Sequence, residues 1–294
     1  MENNTKKELH PKNAHNKGYD ISLLAEAEPQ LKNYFITTKK DTLSLNFSEP
    51  EAVLLLNKAL LKTEYNIKYW SIPKGFLCPP IPSRVDYIHY LNDLIEGNIK
   101  QEKAKILDIG TGANCIYPLL GNAVYNYDFV GSEIDQQAYE AAAQNCSDNK
   151  LTEAIKIRFQ KNKRLLFKDI IRENEYFNAT ICNPPFHQSK AEAEKANSRK
   201  NKNLSKSKDA KNNLNFGGVN SELWYEGGEI TFLTNMIFES VHFAEQVGWF
   251  TSLISKSDNL RPLIKILDKV NVAEHKVIEM STPNKKANII CWRF

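Results

Sequence analysis

From residue 104 onward the sequence alternates short apolar runs with longer amphipathic ones, and this alternation most limits what the chain can become. "AKILDIG", "YDFVGSEID", "AIKIRFQ", "FNATICN" and "GWFTSLIS" read as strands. "ANCIYPLLG", "QQAYEAAAQNCSDN", "RLLFKDIIREN", "GEITFLTNMIFESVHFAEQV" and "NLRPLIKILDKVN" fall between and after them with helical spacing of apolar residues. "AEHKVIEM" and "ANIICWRF" complete a set of seven strands. Strands separated by helices pair in parallel, with helices covering both faces. The expected fold is α/β: a mostly parallel seven-stranded sheet with an antiparallel last strand.

The chain before residue 101 is organised differently. Residues 21–100 read as a mainly helical N-terminal extension. In "SEPEAVLLLNKALLKTEY", Ser48 and Glu51 have the spacing of a capping box. "IPKGFLCPPIP" carries four prolines and cannot be helical; an amphipathic helix follows from near Val85, with His89 on its exposed side. Residues 1–20 read as a disordered basic tail. Residues 101–294 then form the α/β domain, interrupted by a flexible basic insertion at 188–215.

Charge is placed unevenly. Between Lys190 and Lys211 there are eight basic and three acidic residues, so of a net +4 this segment supplies +5 and leaves −1 elsewhere. A patch of that sign suits a polyanion. The five cysteines form no CxxC pair, which argues against a disulfide framework or a zinc site and for reduced thiols. No run approaches a membrane span, and the polar N-terminus lacks an apolar signal region; both point to the cytoplasm. No residue pattern indicates a metal centre.

Two strand ends carry chemistry. The first is "LDIGTGANC", Leu107–Cys115. In open α/β sheets, ligands bind outside the carboxyl ends of strands where the order reverses. Gly110 and Gly112 allow a tight turn and close backbone approach. Glu133 ends the next strand, where a carboxylate can accept hydrogen bonds from two ribose hydroxyls. The loop lacks the third glycine of a pyrophosphate fingerprint and the Lys-Ser/Thr of a phosphate loop. Asp108 would repel a pyrophosphate but suits a cation. S-adenosylmethionine, with adenosine, sulfonium and ammonium groups, fits this set.

The second is "ATICNPPFHQS", Ala179–Ser189. Asn183 and Pro184 each precede a proline and are driven toward extended backbone. That stiff corner offers the Asn183 side-chain oxygen and the Pro184 carbonyl as two neutral acceptors. Two acceptors on the protons of an exocyclic amine orient its lone pair toward a methyl donor and stabilise charge growing on nitrogen. No strong base is required, so His187 beside the corner need not act as one. Phe186 offers a face for stacking a base. Farther on, "WYEGGE" places Trp224 and Tyr225 as candidates to line the target pocket.

These motifs, with "HPKNAHNKGYD", "LLKTEYNIKYWSIPKGFLCPPIPSRVDYIHYL", "LNFGGVNSELWYEGGEITFL" and "WFTSLISK", resemble the bacterial 23S rRNA adenine-N6 methyltransferase family. This family belongs to the class I, Rossmann-like S-adenosylmethionine-dependent methyltransferases and is related to the eukaryotic enzyme that modifies U6 snRNA. The resemblance spans most of residues 10–294. It implies methylation of an adenine in 23S rRNA or its precursor. It also implies cofactor contacts at Arg84 (the methionine carboxylate), Asp108, Gly110, Gly112, Asn114, Glu133, Asn162 (the adenine) and Asn183. Asn183, Pro184 and Phe186 would form the target-amine pocket. The Lys190–Lys211 segment and the N-terminal tail become candidate RNA contacts. Asn114 stands where many such enzymes have a third glycine. The corner alone does not choose the amine: guanine-N2 and protein-glutamine methylation use a similar one, and a non-catalytic RNA-binding protein could retain the fold.

Overall fold

The computed structural model describes residues 9–38, 41–97, 102–185, 187–189, 191–192, 220–282 and 285–294. The N-terminal extension comprises α1 (Ile21–Ala27), a two-stranded antiparallel ribbon of β1 (Phe35–Thr37) and β2 (Leu43–Leu45), α2 (Pro50–Tyr65) and α3 (Ile81–Ile95). The remainder holds β3 (Lys105–Ile109), α4 (Ile116–Tyr125), β4 (Asp128–Glu133), α5 (Gln136–Asp148), β5 (Ile155–Phe159) and β6 (Phe177–Cys182). A short turn of helix, α6 (Asn220–Leu223), precedes α7 (Gly228–Ser240), β7 (Val247–Ile254), α8 (Leu260–Lys269), β8 (Glu274–Thr282) and β9 (Lys285–Arg293).

The seven-stranded sheet runs β5-β4-β3-β6-β7-β9-β8. Strands β3 to β7 are parallel, β9 is antiparallel to β7, and β8 to β9. This is the expected architecture, and its strand order reverses between β3 and β6. Ile106 of β3 joins a core shared with α2, α3 and α4, while Leu107 and Ile109 face the core under α7 and α8. The two-residue period of a strand thus separates the two layers. Because Leu55, Leu60, Val85 and Leu91 belong to the same core as Ile106, the N-terminal extension has no core of its own.

Four local expectations are corrected. "RLLFKDIIREN" is not helical: Phe167 and Ile170 are buried as a run of turns, and Asp169 has φ 68°. The Glu239 carboxylate of α7 takes the N–H groups of Leu166, Phe167 and Lys168 at 2.8–3.0 Å, so a distant side chain replaces the helical hydrogen bonds. Helix α2 starts at Pro50, with Glu49 as its uncapped N-cap, and the Ser48 hydroxyl donates instead to the Asn46 side chain. Helix α3 begins at Ile81 rather than near Val85, since a proline in a first turn costs no hydrogen bond. His89 is 5% exposed and bonds the Tyr125 hydroxyl at 2.8 Å.

Residues 9–20, expected as part of a disordered tail, pack on α3. The His10 N–H and the Asn13 amide both donate to Asp86 Oδ1, at 2.7 and 2.9 Å, and His15 bonds the Tyr65 hydroxyl at 2.7 Å. Residues 1–8 lie outside the described set.

Candidate active site

The reversal between β3 and β6 puts the two motif-bearing loops on neighbouring strand ends. They open onto one cavity of about 1680 Å³. Its walls include Arg84, Gly110, Gly112, Glu133, Asn183 and Glu222.

At the β3 end, Gly110 and Gly112 have φ of 69° and 66°, values that L side chains resist. A Cβ on Gly110 would meet no protein atom, leaving space beside the backbone; one on Gly112 would press on Glu222 Oε1 at 3.1 Å. Asp108 is 1% exposed, and its Oδ2 accepts the Thr111 hydroxyl at 2.6 Å. Burial pushes this carboxyl up to about 7, against the Thr111 bond and the positive charge of Arg84. Its Oδ1 has no hydrogen-bond partner among the described residues. Asp108 itself does not line the cavity, whereas Ile109, Gly110 and Thr111 beside it do.

Glu133, at the end of β4, is held by three backbone donors. Its Oε2 accepts from Gly112 at 2.9 Å, and its Oε1 from Ile134 and Asp135 at 2.7 and 3.0 Å. Burial raises its pKa, and these bonds oppose the rise. Three of the carboxylate's four lone-pair sites are thereby used, and Oε2 keeps one for a ligand hydroxyl.

Arg84 reaches the cavity from α3, donating to the Tyr117 hydroxyl at 3.0 Å with its guanidinium 5.6 Å from that ring's centre. Asn114 lines the cavity but is occupied within the protein. Its Oδ1 accepts the Ile116 N–H at 3.1 Å and its carbonyl takes the Trp70 indole N–H at 2.8 Å. Asn162 is exposed, closes its own turn by accepting the Arg164 N–H at 3.1 Å, and does not line the cavity; Gln160, two residues earlier, does.

At the β6 end, Asn183 and Pro185 line the cavity and Pro184 is buried. Asn183 makes no side-chain hydrogen bond with the described residues, whereas the Glu133 carboxylate and Asp108 Oδ2 at the other end are engaged. Phe186 lies outside the described residues, as do Lys190 and 193–219. Residues 223–225 run alongside the corner: the His187 N–H donates to the Leu223 carbonyl at 3.0 Å, and the Tyr225 N–H to the His187 carbonyl at 3.1 Å. That pairing carries Trp224 and Tyr225 to the cavity wall. The His187 ring stands 3.9 Å from the Glu192 carboxylate.

Sequence reasoning passed over Glu222, Gln160 and Thr111. Glu222 accepts the Leu77 N–H at 2.9 Å, and burial pushes its carboxyl up to about 7, with Glu133 and Asp135 adding to the rise. The signal for Thr111 was its place between the two glycines; Glu222 sits two residues before the noted Trp224.

These residues fit S-adenosylmethionine. Buried acids suit its two cationic centres, Arg84 suits its carboxylate, and Glu133 suits its ribose.

Comparison with known proteins agrees. Residues 3–294 match the RNA methyltransferase family. Ribosomal RNA large subunit methyltransferase F of Flavobacterium psychrophilum is 48% identical, covering 98% of this chain and 94% of the relative. The protein of that name from Bacteroides fragilis is 47% identical, covering 98% of each chain. Among solved structures, the hMettl16 catalytic domain in complex with MAT2A 3′UTR hairpin 1 superposes with a TM-score of 0.83 at 31% identity, covering 98% of this chain and 96% of that one. The N-terminal domain of human METTL16 in complex with SAH gives 0.79 at 28% identity, with 98% and 99% covered. With its cavity formed at the β3–β6 reversal and a family match over nearly its whole length, the chain belongs to the RNA methyltransferase family.

Proposed function

We propose that the protein transfers a methyl group from S-adenosylmethionine to the exocyclic N6 amine of a specific adenine in 23S ribosomal RNA or its precursor. One observation carries this reading: Asn183 and the Gly110–Gly112 loop face the same cavity from adjacent strand ends. The relatives' names support ribosomal RNA as the substrate.

Bound S-adenosylmethionine supplies an electrophilic methyl group. Glu133 Oε2 would accept a ribose hydroxyl, Arg84 would pair with the cofactor carboxylate, and the Asp108 carboxylate would balance positive charge. Asn183 Oδ1 and the Pro184 carbonyl each accept one N–H of the amine, which aims the nitrogen lone pair at the methyl. The proton becomes acidic once nitrogen gains the methyl, so water can take it. Phe186 stacks on the base. The adenine reaches the corner only unpaired or flipped out.

The Lys190–Lys211 segment and the N-terminal tail contact RNA phosphates in this reading. Removing Lys190–Lys211 should weaken RNA binding and flatten its dependence on salt; an unchanged affinity and slope would remove the segment from the interface. Mass spectrometry of 23S rRNA digests from cells with and without the gene tests the reaction. One N6-methyladenosine should vanish with the gene. Unchanged N6-methyladenosine would overturn the proposal, and loss of N2-methylguanosine would identify the other amine.

A further inference from the structure

Glu222 enters the cavity from a part of the chain remote from both motifs. It lies on α6, two residues before Trp224, whose strand-like pairing with His187 fixes this stretch beside the Asn183 corner. Its Oε2 accepts the Leu77 N–H at 2.9 Å. Its Oε1 lies 3.1 Å from where a Cβ on Gly112 would stand, so the carboxylate sits directly over the cofactor loop. It faces Glu133 and Asp135, and no basic side chain among the described residues pairs with it. A partly buried acid beside other acids is costly unless a cation arrives.

The ligand's own chemistry says which cation. Glu133 takes the ribose, and Asn183 receives the methyl acceptor. The sulfur is bonded to both the ribose carbon and the methyl group, so it lies between these two residues. Glu222 lines the same cavity as both, with its Oε1 over Gly112. The sulfur is positively charged before transfer and neutral after it, whereas the ammonium and carboxylate are unchanged.

We propose that Glu222 is a specificity-determining residue that favours the sulfonium form of the cofactor over the neutral thioether product. The cavity thereby loses part of its hold on the cofactor when the methyl leaves, which favours exchange of product for fresh cofactor. This inference rests on the cofactor assignment and is independent of which RNA base is methylated.

Calorimetric titration of the full-length protein with S-adenosylmethionine and with S-adenosylhomocysteine tests it. Glu222→Gln keeps an oxygen acceptor for the Leu77 N–H and removes the charge. Affinity for S-adenosylmethionine should fall about tenfold, while that for S-adenosylhomocysteine changes less than about twofold. Glu222→Asp should restore most of the preference. Equal losses for both ligands, which a merely structural role would produce, overturn the proposal, as does no loss for either. If Glu222→Gln does not fold, the wild-type protein decides. An analogue with an ammonium group at the sulfur position should bind several-fold more tightly than the neutral thioether, and equal affinities overturn the proposal. Failure of the wild type to bind S-adenosylmethionine at all would instead defeat the cofactor assignment.

Discussion

The two ends of the cavity are built in opposite ways. At the β3–β4 end the polar groups are tied to the protein before any ligand arrives: Glu133 holds three backbone N–H groups, and Asp108 holds Thr111. At the β6 end, backbone stiffness stands in for hydrogen bonds. Two prolines set the corner, and the Asn183 side chain is left without a bond to the described residues. The first end is a finished receptor for a small ligand. The second presents the unbonded Asn183 side chain and is completed by its substrate. Preorganised acceptors act most strongly where charge develops, so the two ends should fail differently when damaged.

The largest effect should come from the corner. Asn183→Ala removes one of the two acceptors on the amine while the β3–β4 end stays intact. Turnover should fall by about 10²–10³-fold, with cofactor affinity within about threefold. Single-turnover methylation alongside cofactor titration separates the two quantities. A large loss of cofactor affinity would erase the contrast and make Asn183 part of the cofactor receptor.

Glu133→Ala should do the reverse. It removes the ribose acceptors and leaves the Gly112, Ile134 and Asp135 N–H groups without their partner. Charge-assisted hydrogen bonds contribute about 1.5–3 kcal/mol each, so cofactor affinity should fall by at least about tenfold. At saturating cofactor, turnover should recover far more fully than in Asn183→Ala. An equal deficit at saturation would show that the cofactor end also orients the reacting atoms.

The same contrast explains what was legible in the sequence. Gly110, Gly112, Glu133 and Asn183 each sit at a strand end, where immediate neighbours set the backbone, and all four line the cavity. The seven strands could be read for the same reason. What was missed depends on distant partners. Glu239 turns "RLLFKDIIREN" away from a helix by taking three N–H groups from more than seventy positions away. Asp86 orders residues 10–13, and Tyr125 buries His89, through contacts that no local pattern encodes. Glu222 reaches the cofactor loop from beyond the basic insertion, guided by the pairing of Trp224 with His187. The position after β5 points to Asn162, but a two-residue offset decides whether a side chain there meets the cavity or closes a turn.

That offset yields the smallest effect and the finest test of the cofactor end. Asn162 is exposed and spends its Oδ1 on the Arg164 N–H, a local turn of the kind asparagine favours. Gln160 is 3% exposed, donates to the Lys168 carbonyl at 2.8 Å and accepts the Asn162 N–H at 2.8 Å, so it pins the loop that walls the cavity. Asn162→Ala should therefore cost about 1 kcal/mol of stability or less and change cofactor affinity less than about twofold. Gln160→Ala leaves the part-buried Lys168 carbonyl and Asn162 N–H without their partner, which costs about 1–3 kcal/mol for each group that water cannot reach. It should weaken cofactor binding more than Asn162→Ala does. Thermal unfolding and cofactor titration of the two variants measure both quantities. If Asn162→Ala were the more damaging for affinity, the 160–168 loop would have to turn over when the cofactor binds, and the β3–β4 end would no longer be the preformed half of the cavity.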